Sequence, residues 1–201
     1  MNFLKEISYG TFKDLGSTFE SALIPLASPE DLKSAQEEFI KAFPKADHYP
    51  YAYRYEGLSR SSDDGEPSGT GGRALLSLLE NKELDCCLLI VARYFGGTKL
   101  GIPRLRRAFV SSASEAIEHA KRYEKKEAYV YHLELSYSQY ETLRKNQTRY
   151  DYELSNTSFD VNVITDLVSF ATIEDPFDKM GLDKNLLSKM DKQIHLVEVL
   201  S

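Results

Sequence analysis

No stretch of this chain is apolar for long enough to cross a bilayer. The longest uninterrupted run, Cys86 to Ala92, is seven residues, against the roughly twenty that a spanning helix requires. Cysteine is scarce, with only Cys86 and Cys87, side by side. Neighbours in a strand point to opposite faces, so an internal disulfide is not expected, and reduced thiols fit a cytosolic protein. A long apolar core is missing from the first residues as well, where Lys5 and Glu6 interrupt the pattern. No secretory signal is read there, and a cytoplasmic location is expected. The four histidines, His48, His119, His132 and His195, are scattered and show no metal-ligand spacing. HExxH, GxSxG and Cys–His signatures are absent, so no acid, base and nucleophile are assembled in the sequence. His48 is the one candidate general base, and a lone histidine at a strand start is more often structural. Internal repeats and low-complexity segments are lacking too.

What is present is the balance of a globular protein: 201 residues, 42 % hydrophobic and 28 % charged, a length comfortable for two ordinary domains. The net charge of −6 is uneven. Residues 1–125 carry 17 Lys/Arg against 18 Asp/Glu, whereas residues 126–201 carry 8 against 13. Residues 86–114 hold Arg93, Lys99, Arg104, Arg106 and Arg107 and no acidic residue. Any phosphate-bearing partner is expected to meet that run.

The patterning predicts extended segments around Phe3–Lys13 and Phe19–Leu26, joined by a turn at Asp14-Leu15-Gly16-Ser17. Ser28-Pro29-Glu30-Asp31 reads as a helix start, with Ser28 as cap, and Leu32, Ala35, Phe39, Ile40 and Phe43 form its apolar face. A strand is expected over His48–Tyr55, a glycine-rich loop over 57–72, and a helix over Thr70–Asn81. Asp85–Phe95 is a near-continuous apolar run, the pattern of a strand covered on both faces. A helix from Pro103 to about Arg122 turns Leu105, Phe109, Ser112, Ala113, Ala116 and Ile117 inward. Lys121–Glu127 reads as a linker. The remainder suggests βαββαβ: a strand over Ala128–Leu135, a helix over Tyr137–Leu154 and a hairpin of Phe159–Ile164 with Leu167–Ile173 about Thr165-Asp166. A helix over Asp183–Lys192 and a strand over Ile194–Leu200 close it. That order is the split βαβ, ferredoxin-like arrangement.

Two loops carry chemistry. The first runs Ser62-Asp63-Asp64-Gly65-Glu66-Pro67-Ser68-Gly69-Thr70-Gly71-Gly72-Arg73. Its amides, leading into a helix beside Arg73, are placed to converge on an anion; the alternative is a capped surface loop whose carboxylates face water. Gly69-x-Gly71-x-x-Ala74 matches a relaxed dinucleotide fingerprint without its strand context, and no Lys-Ser/Thr follows Gly72 as a nucleotide P-loop demands, so both are set aside. The second loop, Arg93-Tyr94-Phe95-Gly96-Gly97-Thr98-Lys99-Leu100-Gly101, offers cationic donors and an aromatic face after a buried strand. An arginine there needs a counter-charge, expected from Asp63, Asp64 or Glu66.

Read as SDDGEPSGTGGR and LIVARYFGGTKLG, Ser62–Arg73 and Leu89–Gly101 resemble the two signature blocks of the YigZ/IMPACT family, and Tyr51-Ala52-Tyr53-Arg54 resembles the short block before them. The resemblance implies an α+β protein in two domains. Residues 1–125 would be the IMPACT N-terminal domain, with the ribosomal protein S5 domain 2-like fold, and residues 126–201 a ferredoxin-like domain. It also implies a connection with translation, because eukaryotic members bind an activator of the amino-acid-starvation kinase. No cofactor and no bound metal are expected. The expected function is therefore non-catalytic: binding a translation-related protein or the ribosome, or RNA through residues 93–107. The binding residues on this reading are Asp63, Asp64, Glu66, Thr70, Arg73, Arg93, Tyr94, Gly96, Gly97, Lys99, Arg104 and Arg107. The alternative is an enzyme for a small phosphorylated or carboxylated ligand, with Asp63, Asp64 and Glu66 holding magnesium. The chain departs from the family pattern in having Gly71 where alanine is common, Ala74 where proline is common, Pro103-Arg104 in place of a glycine pair, and Pro50 at a position usually not proline.

Overall fold

A hairpin with a two-residue turn sets up the first sheet. After the short β1 (Asn2–Phe3), strands β2 (Ser8–Asp14) and β3 (Ser17–Pro25) pair antiparallel through Leu15-Gly16. Both turn residues have positive φ, 44° and 82°, the type I′ geometry whose twist matches the flanking strands. The computed structural model of the protein describes residues 2–150, 152–170 and 187–198. The chain divides into two compact units, built on Met1–Glu124 and Lys125–Val197.

In the first unit follow α1 (Asp31–Ala42), β4 (Tyr51–Tyr55), β5 (Leu58–Ser62), α2 (Gly72–Asn81), β6 (Cys87–Tyr94) and α3 (Ile102–Glu118). The sheet runs β2-β3-β6-β4-β5, antiparallel throughout. Strand β6 is central and explains the apolar run. Cys87, Leu89 and Val91 face α2 and α3, alongside Leu75, Leu79 and Phe109, while Leu88, Ile90 and Ala92 face α1 with Ala35 and Phe39. Each of the four side chains Leu88 to Val91 is almost wholly buried, which stabilises by about 1.5–3 kcal/mol apiece. Phe19 and Phe109 meet edge to face, centroids 5.0 Å apart.

Helix α3 lies very close to β2. A Cβ on Gly10 would stand 2.4 Å from the Ser112 carbonyl oxygen and 2.5 Å from the Ala116 nitrogen, so only glycine permits this approach. Buried Ser21 and Ser112 pin the contact: the Ser21 hydroxyl donates to the Ser112 carbonyl at 2.8 Å, and the Ser112 hydroxyl to the Phe19 carbonyl at 2.9 Å. The Thr11 N–H donates to the Glu115 carboxylate at 2.6 Å, and His119 Nδ1 lies 2.9 Å from the Tyr9 carbonyl. These α3 side chains cover backbone groups of an edge strand that would otherwise invite pairing with another chain.

Several expectations are corrected here. Helix α1 begins at Asp31, and Ser28 does not cap it; the Asp31 carboxylate instead reaches back to the N–H groups of Ala27 and Ser28. Residues 58–62 are strand, not loop. Glu56-Gly57, with φ of 44° and 90°, turn β4 into β5, a polar edge strand with one side in water and so without apolar periodicity.

The second unit holds β7 (Tyr123–Leu135), α4 (Tyr137–Tyr150), β8 (Tyr152–Phe159), β9 (Val163–Ser169) and β10 (Leu187–Glu198), with β7 beginning in the first unit, where Tyr123 and Glu124 pair with β1. The expected linker is thus partly strand. The sheet order is β10-β7-β9-β8. The hairpin turn falls at Asp160–Asn162, not at Thr165-Asp166, because a bulge between Ser155 and Ser158, with Asn156 at φ 48°, breaks the alternation that sequence reading relies on. Leu187–Lys192, expected as helix, is strand, pairing with β7 having overridden local propensity. Asp151, Ala171, Thr172, Ile173, Asp183–Leu186, Val199 and Leu200 of the expected elements lie outside the described residues. On the helix-covered side Tyr131, Leu133, Leu135, Leu143, Tyr152, Val163 and Leu167 form the core. On β7, His132 Nδ1 lies 2.6 Å from Asp166 and Nε2 lies 3.3 Å from Asp191, tying β9 and β10 to the middle strand. Among the described residues no helix is long and apolar enough to cross a membrane.

Candidate functional site

The first loop is organised by one carboxylate. Asp63 Oδ2 accepts the Gly69 N–H at 2.8 Å, and Oδ1 accepts those of Gly71 and Gly72 at 3.0 and 2.9 Å. The amides expected to converge on an anion therefore converge on a side chain of the loop itself, which opposes the positive end of α2. Asp64 serves similarly, accepting the Tyr49 N–H at 2.7 Å. Thr70 is buried, its hydroxyl donating to the Pro67 carbonyl at 2.6 Å. Gly71 lies against Pro50: a Cβ on Gly71 would lie 2.6 Å from Pro50 Cβ, so the proline ring occupies the space an alanine methyl would need.

Glu66 is the residue that reaches the second loop. Arg93 Nη1 donates to both its oxygens, at 2.7 and 2.6 Å, and the pair is buried. The counter-charge of Arg93 is thus Glu66, not Asp63 or Asp64. Arg93 Cζ lies over the rings of Phe19 and Phe95, 5.7 and 5.6 Å from their centroids, a cation–π arrangement. Arg93 Nε is shielded from water and has no hydrogen-bond partner among the described residues. Beyond the strand the loop is held from two sides. The Asp47 carboxylate accepts the Phe95 N–H at 2.7 Å, and the Gly96 N–H donates to the Ser17 hydroxyl at 3.1 Å. A Cβ on Gly96 would collide with Gly16 at 1.9 Å; this glycine serves packing. Tyr94 points elsewhere, its hydroxyl donating to the Pro44 carbonyl at 3.2 Å, with burial pushing its pKa up.

Between the two loops opens a cleft of about 470 Å³. Gly65, Glu66 and Pro67 of the first loop and Arg93, Phe95 and Lys99 of the second border it, as do Asp47 and His48. Leu100, Ile102 and Leu105 close its apolar end at the start of α3. Of the residues expected to bind, Glu66, Arg93 and Lys99 meet here. Asp63, Asp64 and Thr70 build the loop from behind, Arg73 is exposed on α2, and Gly97 does not line the cleft. Asp47 and Ile102 carried no signal in the sequence, since each joins the site only through the fold. Arg104 and Arg107 border a separate depression of about 350 Å³ with Phe12, Asp14 and Ser111. There Arg104 grips Asp14 with two hydrogen bonds of 2.6 Å, chiefly through which the Asp14 carboxyl is held below its usual range. The three acidic residues offered for magnesium are separately engaged, and no group of three metal ligands occurs among the described residues.

Residues 15–117, which span both loops and strands β3 to β6, match the family model described as the Impact N-terminal domain. The chain belongs to the IMPACT family. An IMPACT family member from Thermus thermophilus is 42 % identical over 106 residues, covering 52 % of this chain and 56 % of that relative. The family member YvyE of Bacillus subtilis is 34 % identical over 142 residues, 65 % of each. This IMPACT-family chain thus spans between about half and two-thirds of the relatives it matches. A crystal structure described as a hypothetical protein superposes with a TM-score of 0.59 at 20 % identity, covering 99 % of this chain and 97 % of the other, a likeness of fold.

Proposed function

We propose that this chain is a non-catalytic docking protein connected with translation, and that a partner protein is received at the cleft between the two signature loops. The observation that carries this reading is the meeting of Glu66 and Arg93 at 2.6 Å, which brings two distant family blocks to one open face. Family membership supplies the connection with translation, as an implication for this chain. A protein partner is favoured over RNA because two cations of the run are committed to carboxylates: Arg93 faces Glu66 and Arg104 faces Asp14. Residues 126–201 add net negative charge. The strand order β10-β7-β9-β8, with α4 between β7 and β8, supports a ferredoxin-like fold for residues 126–201. Residues 1–125 are read as S5 domain 2-like on the family resemblance.

The test is affinity capture from a cytosolic lysate with the full chain as bait, with and without nuclease. Ribosomal proteins or translation factors retained after nuclease treatment are expected. Capture without any translation component refutes the reading, and capture that vanishes with nuclease and falls steeply with salt moves the contact to RNA.

A further inference from the structure

We infer that the cleft recognises a carboxylate with an apolar side chain beside it, as presented by a partner segment in which an acidic group adjoins a residue of leucine or phenylalanine size. The inference rests on the docking reading above and names its chemistry. Charge is the first ground. Both carboxylates at the cleft are engaged, Glu66 by Arg93 Nη1 and Asp47 by the Phe95 N–H. Lys99 is exposed and forms no ion pair among the described residues, and residues 86–114 contain no acid to quench it. Asp47 keeps its charge while accepting a neutral N–H, and Lys99 is the cation of the cleft that no carboxylate among the described residues pairs.

Arg93 is the second ground. Its Nη1 is spent on Glu66, while Nε, on a side chain nine-tenths buried, is left without a partner. A buried unpaired donor is destabilising and rare in folded proteins, and the residue that carries this one lines the cleft. Guanidinium donors suit the planar carboxylate. The positive end of α3, whose cap residue Gly101 supplies no side-chain acceptor, adds to the same field. The apolar wall is the third ground. Phe95 is 46 % and Ile102 61 % exposed, next to Leu100 and Leu105. A bare anion leaves that wall in water, whereas an anion with an apolar neighbour covers it.

The probe is N-acetyl-L-phenylalanine, titrated into the full, nitrogen-15-labelled chain, with its neutral amide and inorganic phosphate as parallel arms. The readout is the Nε–H signal of Arg93 together with the amides of Phe95, Gly101 and Ile102. The acid is expected to shift these saturably, with a Kd of about 1 mM for a ligand of this size, the amide to bind roughly tenfold more weakly, and phosphate to leave them unmoved. Lys99→Glu, an exposed change, weakens the acid several-fold while the amides held by Asp63 keep their positions. Equal binding of acid and amide, equal binding of phosphate, or an unmoved Arg93 signal overturns the inference. If the probe fails but lysate capture persists and is lost in Ile102→Glu, the docking reading stands and the ligand class falls. If the probe binds as expected but capture yields no translation component, the docking reading falls instead.

Discussion

Replacing Asp63 with alanine removes the acceptor of three backbone N–H groups at once. A hydrogen bond to a charged group contributes about 1.5–3 kcal/mol, but the three losses are not equal. Gly71 and Gly72 are buried, so their amides lose their partner without gaining water, whereas Gly69 is half-exposed and is rehydrated. The alanine variant should therefore lose about 3–5 kcal/mol. Asparagine keeps one oxygen for Gly71 and Gly72 and turns its NH₂ against Gly69, losing about 1–2 kcal/mol. In urea unfolding followed by far-ultraviolet circular dichroism, a slope of about 2 kcal/mol per molar puts the alanine midpoint about 2 M lower and the asparagine midpoint less than about 1 M lower. A loss below about 0.5 kcal/mol for both variants would show that the loop does not depend on this carboxylate, and the reasoning fails.

Three further outcomes follow from the same contacts. Gly71→Ala alone should cost about 1–3 kcal/mol through collision with Pro50; together with Pro50→Ala it should cost clearly less, and additive losses in urea would contradict the collision. Glu66→Ala leaves the buried Arg93 charge unpaired and should cost about 3–5 kcal/mol, whereas the double change Glu66→Leu with Arg93→Met should cost less than the single one. Asp14 should titrate below its ordinary value of 3.8 in an NMR pH series, because Arg104 holds the charged form. Since the folded-state pKa is lowered, the associated stability is present above 3.8 and is lost as pH falls through the folded value. Arg104→Gln should raise the titration midpoint toward 3.8, and an unmoved midpoint would contradict the pairing.

The strand β6 was legible because an apolar run with both alternating sets covered has little else to be. Arg93, near the end of β6, was legible for the same reason, as a charge at the end of such a strand must find a counter-charge, although three acids competed and only the fold selects Glu66. The purpose of Asp63 was not legible. A carboxylate that caps amides six to nine residues ahead has the same local sequence as one that waits for a metal. Strand β5 escaped notice because an edge strand of serines and arginine carries no apolar period, and β8 because its bulge shifts the period midway. Asp47 joins the cleft from 48 residues before Phe95, its carboxylate accepting the Phe95 N–H and its own N–H donating to the Arg93 carbonyl, a juxtaposition that only the β6 pairing creates.

The measurement closest to the central claim is lysate capture with three full-length baits: the unaltered chain, Lys99→Glu with Ile102→Glu, and Arg73→Glu. The first pair of changes alters the mouth of the cleft on exposed side chains, and the last alters an exposed cation outside it. The account predicts that the cleft variant, still folded by circular dichroism, loses its translation partner while the Arg73 variant keeps it. Retention by the cleft variant, or equal loss in both, would place the docking surface elsewhere.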